Sequence, residues 1–233
     1  MKLEGKVAVI TGASRGIGKS IAQHYAVEGA RLVISARNEG ALKDLRNSLP
    51  GSDVEIIPAD MTQESAVKRL IESSVARFGR IDILVNNAGF GTFKPVIETT
   101  TSEFDSLVSV NLRGVFIATR EALPHMIKQN DGVIINIASL AGKNAIENGS
   151  IYAATKWALL GFGKSLMLEV RKYNIRIIAI CPGSVDTGFS SRGLADRGKI
   201  LKPEDVADAA VLAASLPARA MMSEIDLRPT NPK

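Results

Sequence analysis

Short runs that are apolar at nearly every position recur along the chain, at 7–10, 31–35, 54–59, 81–86, 133–138 and 175–180, and helically spaced stretches lie between them. A strand with one wet face alternates in polarity, so strands apolar throughout must be covered on both faces. Helix-length connections allow such strands to run parallel, because a parallel pair needs a crossover of a dozen residues or more. The pattern predicts an α/β fold, a doubly wound parallel sheet with helices on both faces. A short run at 224–227 makes a seventh strand. Pro203 opens the last helix, through 215. With 233 residues, 45% of them apolar, the chain can bury one large core, and residues 1–233 are expected to form a single domain. The stretch 187–202, rich in Gly, Ser and charge, is expected to be a mobile loop.

Formal charge is +5, but the Lys and Arg residues are scattered and form no basic block, so nucleic acid is not an expected partner. Cys181 is the sole cysteine, which rules out an intramolecular disulfide and suits a reducing compartment. No run has the length of a membrane span, nor does the N-terminus read as a signal peptide. A soluble cytoplasmic protein without a membrane partner is expected.

Between the first run and the first helix stands Thr11-Gly12-Ala13-Ser14-Arg15-Gly16-Ile17-Gly18. Small residues there let backbone approach a pyrophosphate, and a helix N-terminus adds unpaired N–H groups and a positive dipole. The spacing is neither the general dinucleotide fingerprint nor a triphosphate loop, and glycines also serve turns with no ligand. Position favours a dinucleotide on a Rossmann-type fold. Where an NAD enzyme places an acid for the ribose hydroxyls, this chain has Ser35-Ala36-Arg37. Arg37, with Arg15, can pair with a 2′-phosphate, which favours NADP(H) over NAD(H); solvated loop charges are the alternative. Asp60 suits an adenine amino group or a helix cap near Thr62.

Tyr152 and Lys156 stand four apart in a helical stretch and therefore share a face. A free phenol titrates near pH 10, and a nearby ammonium together with a positively charged nicotinamide is expected to lower that value. A helix-surface pair without function is the alternative. In order and spacing, Thr11 through Gly18, Asn86-Asn87-Ala88-Gly89, Asn111, Ser139, Tyr152 with Lys156, and Pro182-Gly183 resemble the short-chain dehydrogenase/reductase family over the whole chain.

That resemblance implies an NADP(H)-dependent oxidoreductase acting on C=O and CH–OH groups. Tyr152 would be the general acid and base, and Ser139 would hydrogen-bond the substrate oxygen. Lys156 would tune Tyr152 and hold the nicotinamide ribose; Asn111 would hold a relay water. Taken alone, Ser139 reads as a turn or cap residue and Asn111 as a cap or kink. The implied cofactor seat is Gly12, Ser14, Arg15, Gly16, Ile17, Gly18, Arg37, Asp60, Met61, Asn87, Ala88 and Gly89, with Tyr152, Lys156, Pro182, Gly183, Val185 and Thr187 at the nicotinamide end. The implied substrate wall is Phe90, Phe93, Leu140, Ile146, Ser184 and Phe189.

Among familiar members the sequence looks like the 3-oxoacyl-thioester reductase group, so a 3-oxoacyl thioester or related ketone is the expected substrate. Arg192 and Arg197 could meet an anionic carrier or be solvated. The helix after Tyr152, with Trp157, Leu159, Leu160 and Phe162, is apolar on more than one face; in the family such helices form a dimer interface, and a homodimer or homotetramer is expected. The chemistry needs no metal, and His24 and His125 lack partners at ligand spacing. Cys181 is expected to be a core residue. A catalytically silent NADP(H)-binding regulator is the alternative function, disfavoured because both Tyr152 and Lys156 are present. Epimerase or dehydratase chemistry would call for a longer C-terminal region.

Overall fold

The computed structural model describes residues 1–189 and 199–230. Strands β1 (Val7–Thr11), β2 (Arg31–Ser35), β3 (Val54–Ile56), β4 (Ile83–Asn86), β5 (Gly132–Ile137), β6 (Ile175–Pro182) and β7 (Glu224–Leu227) form one parallel sheet, in the order β3-β2-β1-β4-β5-β6-β7. Between them run α1 (Gly16–Val27), α2 (Glu39–Asn47), α3 (Glu64–Phe78), α4 (Thr101–Val108), α5 (Gly114–Gln129), α6 (Ser150–Val170) and α7 (Pro203–Ser215). The expected Rossmann-type fold is present, with each strand side chain assigned to a face by the period of two. In β1, Ala8 and Ile10 pack with Ile21 and Tyr25 of α1 and Val206 and Ala210 of α7. Val7 and Val9 pack instead with Val67 and Leu70 of α3 and Ile117 of α5.

Some strand limits differ from expectation. β3 stops at Ile56 rather than 59 because Pro58 has no N–H to offer a ladder, although Ala59 still donates to the Ala36 carbonyl at 3.3 Å. β4 begins at Ile83 rather than 81; the Gln129 side chain takes the Ile81 N–H at 3.2 Å. β6 continues past 180 because Cys181 and Pro182 find partners in β7. Of the 187–202 loop, residues 190–198, including Arg192 and Arg197, lie outside the described residues.

Strand order reverses between β1 and β4, so the connections leaving those strands part in opposite directions and open a crevice at their C-terminal ends. At the opposite edge, Asp82, 2% exposed at its side chain, staples the strand starts. Its carboxylate accepts the Val7 N–H at 2.9 Å, two bonds from Arg80 at 2.9 and 2.5 Å, and one from Lys6 at 3.3 Å. Lys6 also reaches Asp131, next to β5.

Replacing Asp82 with alanine strips an acceptor from a buried N–H and uncouples two cations. Asp82→Ala is therefore expected to lower unfolding free energy by about 2–4 kcal/mol in chemical denaturation. Ligand affinity of the folded fraction should be unchanged, because this staple lies at the edge away from the crevice.

Candidate active site

The glycine turn is held by a knot of hydrogen bonds on Thr11. Its hydroxyl donates to the Val85 carbonyl at 3.2 Å and accepts from the N–H groups of Asn87 and Ala88 at 3.0 and 3.1 Å. The Asn87 amide returns the contact, donating to the carbonyls of Thr11 and Gly12 at 2.8 and 3.1 Å. This approach leaves no room for side chains: a Cβ on Gly12 would stand 2.8 Å from Ala88 Cα, and one on Gly18 would stand 2.3 Å from Asn87 Nδ2. Asn87 thus shapes the turn, and Thr11 is a positioning residue that motif spacing alone does not single out.

The N-terminus of α1 follows, beside Ser14 and Ile17. Arg15 occupies the cap position without a side-chain cap bond, and the first turn has no acidic residue. Free N–H groups and a favourable dipole, uncontested by a carboxylate, fit an anionic group such as a dinucleotide pyrophosphate. Thr11 pairs with Ser35 across β1 and β2, so Arg15 and Arg37 leave neighbouring strand ends. Both are exposed, and among the described residues neither is in an ion pair. Glu39, two residues past Arg37, is engaged by Lys43 at 2.7 Å.

Asp60 Oδ1 accepts from the Thr62 N–H and hydroxyl, both at 2.9 Å. It closes a turn ahead of α3, whose cap residue is Gln63. Met61 is buried with the core of α3 and α5, and its carbonyl would stand 2.8 Å from a Cβ on Gly114.

At the chemical end, β5 runs into Ser139, whose Oγ accepts the Ala141 N–H at 3.1 Å. Tyr152 lies in the first turn of α6 and Lys156 one turn on; they are 7% and 6% exposed. Lys156 Nζ donates to the Ile137 carbonyl at 2.8 Å and sits 5.8 Å from the Tyr152 ring centre. Ser139 lies near enough to Tyr152 for its hydroxyl to favour the ionised phenol. These three residues, expected together from the sequence, meet at the C-terminal end of β5.

Burial dominates their titration. It holds the Tyr152 phenol above its ordinary value, partly opposed by the Ser139 hydroxyl. It draws the Lys156 ammonium from 10.5 down to about 8. Burial therefore acts against the expected lowering of Tyr152, which calls for a positively charged nicotinamide as well as Lys156.

Asn111 sits in a π-turn, Ser109–Arg113, between α4 and α5 and is 1% exposed. Its side chain accepts the Phe90 N–H at 3.1 Å and donates to the Phe90 carbonyl at 2.9 Å and to Thr155 Oγ1 at 3.2 Å. It therefore fastens the segment after β4 to α6, one residue before Lys156. Thr155 was not visible as a site residue, since only its place between Asn111 and the Tyr152 carbonyl, 2.8 Å away, reveals it. A Cβ on Gly89 would stand 3.2 Å from Asn111 Oδ1, which keeps that backbone close.

Beyond β6, the Gly183 N–H donates to the Leu227 carbonyl at 2.9 Å, and Val185 bridges to Leu201. The segment then crosses the start of α1, where a Cβ on Gly16 would meet the Thr187 side chain at 3.2 Å. The glycine turn and the segment after β6 therefore meet. Of the expected substrate wall, Phe93 and Phe189 touch the Tyr152 ring. Leu140 would lie 3.3 Å from a Cβ on Gly183, and Ile146 packs at Gly149. Phe90 is held by its backbone, and Ser184 is exposed with its carbonyl bonded to the Leu201 N–H at 3.0 Å.

Other chemistry finds less support. Cys181 is fully buried, and burial pushes its thiol up to about 11. His24 Nδ1 contacts the Ser20 carbonyl at 2.8 Å within α1. Among the described residues, no group of three His, Cys, Asp or Glu could hold a metal ion, and no helix is long and apolar enough to cross a membrane.

Comparison with known proteins points the same way. Residues 6–197 match the short chain dehydrogenase family. An uncharacterized oxidoreductase of Staphylococcus aureus (strain MRSA252) is 35% identical over 227 residues, covering 97% of this chain and 98% of the relative. A metagenomic short-chain oxidoreductase in complex with NADP superposes with a TM-score of 0.89 at 36% identity, over 99% of this chain and 100% of the other. A 3-ketoacyl-(acyl-carrier-protein) reductase from Brucella melitensis, complexed with NADH, gives 0.91 at 32% identity over 98% of both chains.

The depressed Lys156 value fixes the sign of a pH effect. Between about 8 and 10.5 the unfolded chain carries a proton on Lys156 that the folded one has lost, so stability rises with pH across that window. Lys156→Met lacks this term. The difference in unfolding free energy, wild type minus Lys156→Met, is expected to grow by about 3 kcal/mol from the bottom to the top of the window, measured by urea titration at several pH values. A difference that stays flat would show that Lys156 is not desolvated.

Proposed function

The chain belongs to the short chain dehydrogenase family, and from that we propose that it is an NADP(H)-dependent oxidoreductase interconverting a carbonyl and a secondary alcohol, with Tyr152 as proton donor and acceptor. The observation that carries the proposal is the convergence of Tyr152, Ser139 and Lys156 at the end of β5.

The seat for the cofactor would be the glycine turn, the α1 N-terminus and the segment 182–187. When bound, the nicotinamide supplies or takes up hydride. The chain's own residues do the rest. For reduction, Tyr152 hands its phenolic proton to the oxygen that gains charge, and Ser139 donates a hydrogen bond to that oxygen. Burial suits this direction, since a phenol held above its ordinary value stays protonated at neutral pH. For oxidation, Tyr152 must give up that proton first, and additional positive charge nearby would favour its doing so. Lys156, anchored at the Ile137 carbonyl, keeps an ammonium beside the ring. Asn111 and Thr155 hold α6 against the segment that carries Phe90.

Arg15 and Arg37 support a preference for the 2′-phosphate, because both are exposed guanidinium groups at adjoining strand ends. A 3-oxoacyl thioester or a related ketone is the proposed substrate class. Exposed Phe116 and Trp157, on α5 and α6, support association with a second copy of the chain. The absence of a membrane-spanning helix among the described residues is compatible with a cytoplasmic site of action.

Tyr152→Phe is expected to lower the rate of NADPH-linked ketone reduction at least ~100-fold, with cofactor affinity by fluorescence titration retained; an undiminished rate would remove Tyr152 from the proton step. Arg37→Ala is expected to raise KM for NADPH while leaving that for NADH within about twofold. Equal losses with the two cofactors would overturn the phosphate assignment.

A further inference from the structure

Two aromatic rings approach Tyr152 from different parts of the chain, Phe93 after β4 and Phe189 after β6. Ring centres lie 5.3 Å apart for Phe93 and Tyr152, 5.8 Å for Tyr152 and Phe189, and 6.5 Å for Phe93 and Phe189. Interplanar angles of 56° to 70° make all three contacts tilted or edge-on, the arrangement aromatic quadrupoles favour. The backbone is contoured around this cluster. A Cβ on Gly91 would stand 2.8 Å from the Phe93 ring and 3.0 Å from the Phe189 ring. One on Gly149, the cap residue of α6, would stand 2.4 Å from Ile146 and 3.3 Å from Phe93. Glycines from two loops thus leave the volume the rings fill.

Any molecule whose oxygen reaches the Tyr152 and Ser139 hydroxyls brings its neighbouring groups against these ring faces and edges. A flat π-system gains edge-to-face attraction there in addition to burial, whereas a saturated group of the same size gains burial alone. Phe189 is 38% exposed and Phe93 lies deeper, so the pair forms an outer and an inner wall. We propose that Phe93 and Phe189 are specificity-determining residues that select ketones bearing an aromatic ring next to the carbonyl over saturated ketones of equal size. The inference rests on the oxidoreductase reading and narrows its substrate class.

The test compares acetophenone with cyclohexyl methyl ketone, which differ in the aromaticity of one ring. For the wild-type chain with NADPH, kcat/KM is expected to favour acetophenone by about tenfold. Phe93→Leu keeps apolar volume, and Phe189→Ala removes a partly exposed ring, so both should fold, as thermal melts will check. Both ketones lose some burial, but each variant is expected to lower the acetophenone-to-cyclohexyl ratio of kcat/KM by about 3–10-fold. Equal values for the two ketones, or an unaltered ratio in both variants, would overturn the proposal. Calorimetric binding of each ketone to the chain with NADPH separates the two readings. Aromatic preference in binding without turnover would keep the selective wall and remove the oxidoreductase reading; turnover without that preference would do the opposite.

Discussion

One hydroxyl group, on Thr11, holds together the place where the sheet reverses its winding. It donates to β4 at Val85 and accepts from both N–H groups that leave β4, at Asn87 and Ala88. A valine has nearly the same shape but cannot accept: the Asn87 N–H would keep its second bond, to the Val85 carbonyl at 3.1 Å, while the Ala88 N–H would lose its partner at about 1–3 kcal/mol. Because Asn87 in turn holds the carbonyls of Thr11 and Gly12, the glycine turn takes its form from β4 as much as from its own glycines. The bare backbone at Gly12 and Gly18 is a consequence of this approach. The same knot fixes where the segment toward Phe90 departs, which Asn111 then fastens to α6.

Desolvation sets the chemistry that this frame supports. Tyr152 and Lys156 are pushed in directions that both favour a neutral group: the phenol upward, the ammonium down to about 8. A folded chain gains nothing in stability by burying an ammonium beside one carbonyl, and a methionine would fill the space at lower electrostatic cost. The pair therefore makes physical sense as machinery rather than as packing. Its low-dielectric setting also makes it responsive, because a charge entering the crevice acts on it with little screening.

Strand and helix periodicity was legible wherever an element is defined by its own burial. β1, β2 and β7 and the Pro203 start of α7 fall close to where apolar runs and proline placed them. Limits set by distant groups were not legible: β4 starts late because Gln129, at the far end of α5, takes the Ile81 N–H. The π-turn at Asn111 has the same origin. One extra residue in a helix is tolerated there because Phe90 and Thr155 hold the Asn111 side chain, and no local spacing reports that. In the site, Tyr152, Lys156 and Ser139 were readable as a set from their motifs. The burial that holds Tyr152 above its ordinary value was not, since it comes from rings in two distant loops.

The glycine turn and the surroundings of Tyr152 are also joined by a short segment. Thr187 packs over Gly16 at the start of α1, and its hydroxyl accepts the Phe189 N–H at 3.2 Å. Phe189 in turn lies 5.8 Å from the Tyr152 ring. Gly16 has φ +55°, a left-handed geometry that already favours glycine, and a Cβ there would press on the Thr187 side chain at 3.2 Å. Thr187 cannot retreat without drawing on the bond that places Phe189, so any side chain at position 16 would disturb a wall of the Tyr152 site some distance along the crevice. The absence of a Cβ at Gly16 is thus a condition for the aromatic surroundings of the phenol, and not only for the glycine turn in which it stands.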